Sequence, residues 1–168
     1  MSEGPIVCNA GPLIALSMVG QLDLLKNLYQ QVVVPNAVYQ EVCGSGVGRL
    51  GSVEVASASW LQRARAEPAG EPLLAMELGL GEAEVITVAR GLGARLVLID
   101  ERRARRIAEQ AYRLTVKGSA GILVAAKRAG LIPAVRPLLL AMLHQGYYLS
   151  DRLVQRATAE AGESLPVS

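Results

Sequence analysis

Short, wholly apolar runs alternate along the chain with longer stretches in which apolar side chains recur at helical spacing. The runs lie at Ile6–Cys8, at Val32–Pro35, within ARLVLID at 94–100 and at LTV, 114–116. Continuous apolar strands that alternate with helices are typical of a parallel sheet covered on both faces. The pattern therefore predicts a three-layer α/β/α fold with a central parallel sheet of four or five strands. The fifth would be a short edge strand in WLQRARAE, 60–67.

Turn and cap residues divide the rest of the chain. Asn36 follows the second apolar run and is a candidate N-cap for the next helix. The glycine-rich segment Gly44–Ser52 predicts a loop, and EPAGEP at 67–72 predicts a turn. We expect a main domain at 1–130 and a C-terminal helical extension at 131–168 that packs on the same domain.

Composition narrows the class of protein. The 168 residues are 51% hydrophobic, which suffices for a core, and the net charge of +2 is too small to indicate nucleic-acid binding by itself. The apolar runs are shorter than the roughly 20 residues that span a bilayer. Cys8 and Cys43 have no metal-binding spacing, and no signal peptide is visible, so we expect reduced thiols in a cytoplasmic protein.

Polar side chains stand where ligands bind in such folds. Asn9 and Asp100 each come one step after a predicted strand, and ligands of parallel sheets bind beyond the carboxyl ends of the strands. Glu41 lies on the helix after the second strand, and Glu82 and Glu84 lie near the start of a later helix. We expect these side chains to gather at one edge of the sheet.

Carboxylates that are brought together repel each other, so a cation would let them coexist. Oxygen ligands suit Mg²⁺ or Mn²⁺, and the lack of a Cys/His cluster in the sequence argues against zinc. A bound divalent ion of this kind polarises a phosphodiester oxygen and lowers the pKa of a bound water. The residue types therefore indicate phosphodiester chemistry.

Four segments together resemble the PIN domain family. They are IVCNAGPLIAL, VPNAVYQEV, GLGEAEVITVA and LVLIDERRARRIA, in this order. The resemblance covers about residues 6–124, and the tail resembles the PIN-like branch with a C-terminal helical segment. It implies a metal-dependent ribonuclease of a family in which many members are the toxins of toxin–antitoxin pairs. It further implies a homodimer, an antitoxin partner, and a site at Asn9, Glu41, Glu82 and Asp100.

The first site position departs from the family pattern, because Asn9 stands where the family has Asp. An amide oxygen can ligate Mg²⁺ but brings no negative charge. The alternative hypothesis is therefore a catalytically weak or inactive PIN-like module that binds RNA or a protein. A nucleotide-binding protein is a third option, which the lack of GxGxxG after the first strand disfavours.

Each candidate residue also has a structural interpretation. Asn9 can be a turn or cap residue, and Asp100 can cap the helix that follows it. Glu41 can be an ordinary solvated carboxylate. Glu82 and Glu84 both complement the dipole of a helix start, and Glu84 is the reserve candidate for the ligand position.

Basic and small residues that follow Asp100 in the sequence also have both a structural and a functional interpretation. Four arginines, at 102, 103, 105 and 106, form either a solvated helix face or a surface that binds the RNA backbone, with Arg102 and Arg103 as the named contacts. Ser119 is a further candidate at the metal or RNA edge. The KGSAG segment at 117–121 can present backbone N–H groups to a phosphate or form a tight turn. Tyr147 and Tyr148 suit either core packing or a contact with another chain.

Overall fold

A computed structural model of the chain describes residues 4–44, 50–65 and 72–164. Its centre is one sheet of five parallel strands in the order β3-β2-β1-β4-β5, which confirms the predicted α/β fold. The strands are β1 (Ile6–Cys8), β2 (Val32–Pro35), β3 (Leu61–Ala64), β4 (Leu96–Leu98) and β5 (Val116–Lys117). The edge strand predicted within 60–67 is β3, while the last strand begins at the end of the predicted LTV segment.

Helices flank the sheet, on the connections between strands and, for the last three, after β5. Their bounds are α1 (Ala10–Met18), α2 (Asp23–Leu28), α3 (Asn36–Cys43), α4 (Ser52–Ser57), α5 (Pro72–Glu77), α6 (Leu80–Leu92), α7 (Arg102–Gln110), α8 (Ser119–Arg128), α9 (Arg136–His144) and α10 (Asp151–Glu160). None of these described helices is long and apolar enough to cross a membrane.

The central strand fixes the edge at which the polar residues emerge. β1 and its neighbours β2 and β4 are buried along their whole length, as their continuous apolar sequences predict. Pairing continues one step past the strand ends, because the Asn9 N–H donates to the Leu98 carbonyl over 2.9 Å. The Ile99 N–H likewise donates to the Lys117 carbonyl over 3.0 Å. Asn9, Asp100 and the start of α8 therefore lie along one edge of the sheet.

Local details correct several expectations. Asn36 is not an N-cap: it is the first residue of α3, and Pro35, whose side chain cannot accept a hydrogen bond, occupies the cap position. Within α7, Ala104 and Ala108 are buried, whereas Ala111 follows the helix end and is exposed. Residues 45–49 of the predicted loop and 67–71 of the predicted turn lie outside the described residues.

The Glu163 carboxylate links the C-terminal helices to α8. Glu163 accepts hydrogen bonds from the backbone N–H groups of Val135 (2.7 Å) and Arg136 (2.9 Å) at the start of α9. Lys127 of α8 donates to the same carboxylate over 3.0 Å and to the Ala161 carbonyl over 2.8 Å. This junction (Lys127, Val135, Arg136 and Glu163) holds α8, α9 and the end of α10 together.

Candidate functional site

A large open cleft of about 1260 Å³ lies beyond the carboxyl ends of the strands. We call it the sheet-edge cleft. Asn9, Glu41, Glu82 and Asp100 all line it, although they come from four separate parts of the chain. The strand ends bring Asn9 and Asp100 there, whereas α3 and α6 bring the two glutamates. The structure thus gathers all four candidate residues at one concave surface.

Asp100 is held by hydrogen bonds rather than by a helix cap. The Ser119 N–H donates to its Oδ1 over 2.6 Å, and the Ser119 hydroxyl donates to its Oδ2 over 2.5 Å. The Tyr147 hydroxyl is a second donor to Oδ2. The cap of α7 is instead Glu101, whose carboxylate accepts from the N–H groups of Arg103 and Ala104. The capping interpretation of Asp100 is therefore wrong, and its carboxylate is positioned in the cleft.

Tyr147 keeps its proton beside this carboxylate. Burial raises the pKa of the Tyr147 phenol far above its ordinary value of 10.0, and the negative charge of Asp100 and the hydrogen bond to it raise the pKa further. The phenol is consequently a fixed donor over the ordinary pH range. Its contribution is an oriented O–H group, not a base.

Asn9 and Glu41 converge on a space left by a glycine. A Cβ atom at Gly81 would lie 2.8 Å from Glu41 Oε2 and 3.8 Å from Asn9 Oδ1, so the missing side chain leaves room for both oxygens. Asn9 is only 6% exposed and precedes α1, yet within the described chain its side chain makes no capping hydrogen bond to that helix. Its amide thus faces the site and does not serve the helix start.

The two neighbouring glutamates of α6 take different positions. Glu82 lines the sheet-edge cleft and curls toward the start of its helix, where its Oε2 lies 2.6 Å from the position of a Cβ at Gly79. Glu84 is not among the described residues that line the cleft, and its Oε1 accepts the Ala37 N–H of α3 over 3.3 Å. Glu84 therefore stabilises the contact between α3 and α6, and Glu82 is the better candidate for the site.

The arginines of α7 divide between the cleft and the outer surface. Arg102, Arg105 and Arg106 line the cleft, whereas Arg103 pairs with Glu77 over 3.1 Å on the exposed surface and is absent from the described lining. Arg105 comes close to Asp100, because a Cβ at Gly118 would lie 2.6 Å from Arg105 Nη1 and 2.7 Å from Asp100 Oδ1. The arginine candidates for a substrate contact are thus at 102, 105 and 106.

Ser119 and its segment serve Asp100 directly. Ser119 is fully buried, so its hydroxyl contacts the carboxylate and is not presented to a substrate in solution. Its N–H group is also committed to Asp100, which removes it from the set of donors that KGSAG was expected to offer to a phosphate. The segment is the turn between β5 and α8 that positions Asp100.

The C-terminal residues of the cleft were not recognised from the sequence as site residues. Tyr147 contacts Asp100 across 47 positions of sequence, and Tyr148, Arg152 and Arg156 line the same cleft. Nothing in the local pattern around Tyr147 indicates such a distant partner. The available signal was only the pair of adjacent tyrosines in a short segment between two helices.

The cleft fits a hydrated divalent ion by the chemistry of its donors. Its lining includes carboxylate and amide oxygens and, among the described residues, neither His nor Cys. No three His, Cys, Asp or Glu side chains of the described residues are close enough together to hold one ion. Mg²⁺, however, keeps several waters and commonly binds through one or two carboxylates, so a closed cage of side chains is not required. Three protein donors occupy three of the roughly four acceptor positions of the Asp100 carboxylate, which leaves a position on Oδ1.

Comparison with known proteins agrees with this fold. The sequence matches the PIN domain family over residues 5–163, a range that includes both the acidic residues and the C-terminal helices. No curated protein and no solved structure is similar enough to this chain to give a match. Since the family match spans nearly the whole chain, this protein belongs to the PIN domain family.

Proposed function

We propose that the protein is a divalent-metal-dependent ribonuclease that uses Mg²⁺ or Mn²⁺ in the sheet-edge cleft. PIN domains are in general nucleases, and this chain belongs to that family. The observation that carries the proposal is the meeting of Asn9, Glu41, Glu82 and Asp100 in one cleft that is also lined by arginines. Oxygen ligands beside cationic side chains suit a metal ion and a phosphodiester together.

The acidic residues would hold the ion. One or two of the carboxylates of Glu41, Glu82 and Asp100 would ligate the ion directly, and the others would act through its bound waters. The Asn9 amide would complete this set or orient the attacking water. When bound, the ion polarises a phosphodiester oxygen and lowers the pKa of a bound water. Ser119 and Tyr147 keep the Asp100 carboxylate in one orientation through their hydrogen bonds.

The arginines of α7 would bind the substrate. Arg102, Arg105 and Arg106 line the cleft beside the acidic residues, where guanidinium groups can contact the phosphates that flank the scissile bond. Their charge also offsets the repulsion between the RNA backbone and the carboxylates of the cleft. The substrate is therefore held by one set of side chains and the ion by the other.

A second candidate function is a weakly active or inactive module that binds RNA or a protein. Two features favour it: the uncharged Asn9 at the first site position, and the three hydrogen bonds that already satisfy most of the Asp100 carboxylate. Both reduce the negative charge available to a cation. This candidate shares the cleft with the first but lacks the hydrolysis step.

Cleavage of a fluorogenic RNA with Mn²⁺ distinguishes the two candidates. We expect the wild-type protein to cleave, Asp100→Ala and Glu82→Gln to be inactive, and Glu54→Gln, an exposed residue outside the described cleft lining, to be unaffected. A wild type that is inert, together with an Asn9→Asp variant that cleaves, would favour the binding module. If none of the proteins cleaves with any divalent ion, the ribonuclease proposal fails.

We also propose, from the family resemblance, that the protein is a cytoplasmic homodimer and the toxin of a toxin–antitoxin pair. Exposed apolar side chains at Leu73, Met76 and Leu80 offer a surface that a second copy would bury. Light scattering should give twice the mass of one chain for the wild type and the mass of one chain for Met76→Lys.

The toxin role has its own test. Arrest of growth on expression, relieved by an antitoxin gene, would support the toxin role, whereas unaffected growth would oppose it.

A further inference from the structure

One wall of the sheet-edge cleft comes from the C-terminal part of the chain and has no role in holding the ion. Tyr148, Arg152 and Arg156 all line the cleft, and all three are exposed. Arg152 and Arg156 are four positions apart in α10, so their side chains lie on the same face of that helix. This C-terminal wall (Tyr148, Arg152 and Arg156) therefore presents one aromatic ring and two guanidinium groups to the cleft.

The cleft has cationic side chains on two separate helices. Arg102, Arg105 and Arg106 come from α7, and Arg152 and Arg156 come from α10. Arg156 lies 3.5 Å from Glu160, but this pair is exposed at the surface, where such pairs contribute little and exchange readily. A polyanion that passes along the cleft would thus meet phosphate-binding groups on both helices, beside Asp100.

Tyr148 has the properties of a stacking platform. Its side chain is 84% exposed, although its neighbour Tyr147 is partly buried and donates to Asp100. Tyr148 lines the same cleft as Asp100, so a base stacked on Tyr148 would belong to the strand that passes Asp100. Aromatic rings within a cationic groove are the common means of binding unpaired bases, because every base has a π-face.

We propose that Tyr148, Arg152 and Arg156 form a binding wall for single-stranded RNA. An unpaired base stacks on Tyr148, and the phosphates on either side of it contact the two arginines of α10. A duplex keeps its bases stacked inside the helix, so it gains nothing from Tyr148. That the bound strand passes Asp100 rests on the proposed function. Binding of the strand to the wall needs neither a metal ion nor cleavage.

Fluorescence anisotropy in EDTA measures this binding without hydrolysis. The probes are a labelled single-stranded oligouridylate of about 12 nucleotides and an RNA duplex of equal length. We expect Tyr148→Ala to weaken binding of the single strand by roughly tenfold and Tyr148→Phe to preserve it, since stacking by one ring has about this effect. Binding of the duplex should be weaker and should not change in either variant.

Charge variants test the two arginines. Arg152→Gln and Arg156→Gln should each weaken binding of the single strand and lower the slope of log K against log salt by about one. The matched control is Arg113→Gln, since Arg113 is an exposed arginine that is absent from the described cleft lining. This control should bind as the wild type does. Equal circular dichroism spectra would show that all variants fold.

The possible results separate this inference from the proposed function. If the protein binds the single strand and the variants of Tyr148, Arg152 and Arg156 bind it equally well, the inference is overturned, even if the wild type cleaves RNA. If these variants bind the single strand more weakly and no divalent ion supports cleavage, the binding wall is supported and the ribonuclease proposal fails. Equal affinity for duplex and single strand, or binding of neither, would also overturn the inference.

Discussion

Ser119 contacts both oxygens of the Asp100 carboxylate, with its N–H 2.6 Å from Oδ1 and its hydroxyl 2.5 Å from Oδ2. This residue is the first of α8, so one helix start fixes the rotation of a side chain that follows β4. A carboxylate with both oxygens fixed presents its remaining acceptor position in one direction. The pair is therefore the most direct test of whether the orientation of Asp100 matters.

Replacing Ser119 by Ala should reduce RNA cleavage by roughly tenfold, because a hydrogen bond to a charged group contributes about 1.5–3 kcal/mol. The bond from its N–H group remains, so the fold should survive. The matched control is Ser17→Ala, since the buried Ser17 hydroxyl has no hydrogen-bond partner among the described residues. Steady-state kinetics and urea unfolding would check both variants. Unchanged kcat/KM in Ser119→Ala would contradict a role in orienting Asp100.

Replacing Tyr147 by Phe should strengthen the binding of Mn²⁺ by about two- to tenfold. The phenolic proton competes with a cation for the negative charge of Asp100, and the variant removes that proton while it keeps the ring. Calorimetric titration with Mn²⁺ would measure the change. Tyr148→Phe is the control, because Tyr148 is exposed and does not donate to Asp100 among the described contacts. Equal or weaker Mn²⁺ binding by Tyr147→Phe would refute the competition.

Replacing Asn9 by Asp should make the protein less stable without metal and more strongly stabilised by it. Asn9 is 6% exposed and shares the space beside Gly81 with Glu41, so a carboxylate there would be desolvated and repelled by its neighbour. A cation would relieve both effects. Compared with the wild type in thermal unfolding, Asn9→Asp should have a lower Tm in EDTA and a larger rise in Tm when Mn²⁺ is added. The same Mn²⁺-induced shift in both proteins would show that Asn9 is not at the ion.

The glutamates of α6 should respond oppositely to substitution. Glu84→Ala removes the acceptor of the Ala37 N–H and should lower the free energy of unfolding by about 1 kcal/mol, with cleavage retained. Glu82→Gln should abolish cleavage and leave the unfolding free energy nearly unchanged. Urea unfolding and the RNA assay on both variants give the comparison. Loss of activity in Glu84→Ala alone would reverse the assignment of the ligand.

The Glu163 junction should make stability depend on acid pH. Burial pushes the pKa of Glu163 up, but the N–H groups of Val135 and Arg136 and the ammonium of Lys127 outweigh it and leave the pKa below its ordinary value of 4.5. A carboxyl with a lowered folded-state pKa stabilises the fold above its unfolded pKa, and the contribution is lost as the pH falls through the folded value. Glu163→Gln should therefore be less stable than wild type at pH 7, and the difference should shrink toward pH 3. A difference that is constant with pH would exclude the charge as its source.

The centre of the sheet could be predicted because β1, β2 and β4 are buried on both faces. Ile6–Cys8 and Val32–Pro35 are short, continuous apolar runs between helical patterns, which are typical of strands in a parallel sheet. The rule that ligands bind at the carboxyl ends of parallel strands then led to Asn9 and Asp100. Glu41, Glu82 and Glu84 were candidates from their positions on the predicted helices, and the family resemblance favoured Glu82 over Glu84. The cleft that Glu41 and Glu82 share became visible only in the folded chain.

Contacts between distant segments could not be predicted from the sequence. Tyr147 lies between α9 and α10 and reaches Asp100 across 47 positions of sequence, and Glu163 binds the start of α9 from beyond the end of α10. The choice between Asp100 and Glu101 as the cap of α7 was also beyond local patterns, since both are acids at a helix start. In the folded chain Asp100 accepts hydrogen bonds from Ser119 of α8, and Glu101 caps α7.

Three glycines give the cleft its interior width. A Cβ at Gly11 would lie 2.9 Å from the Tyr147 hydroxyl, one at Gly81 would lie 2.8 Å from Glu41 Oε2, and one at Gly118 would lie 2.7 Å from Asp100 Oδ1. None of the three has the left-handed backbone that favours glycine, so the limiting factor is space. A single added methyl at any of them would push a working side chain out of place. The interior of the site is thus specified as much by the side-chain atoms that these glycines lack as by the groups that would perform chemistry.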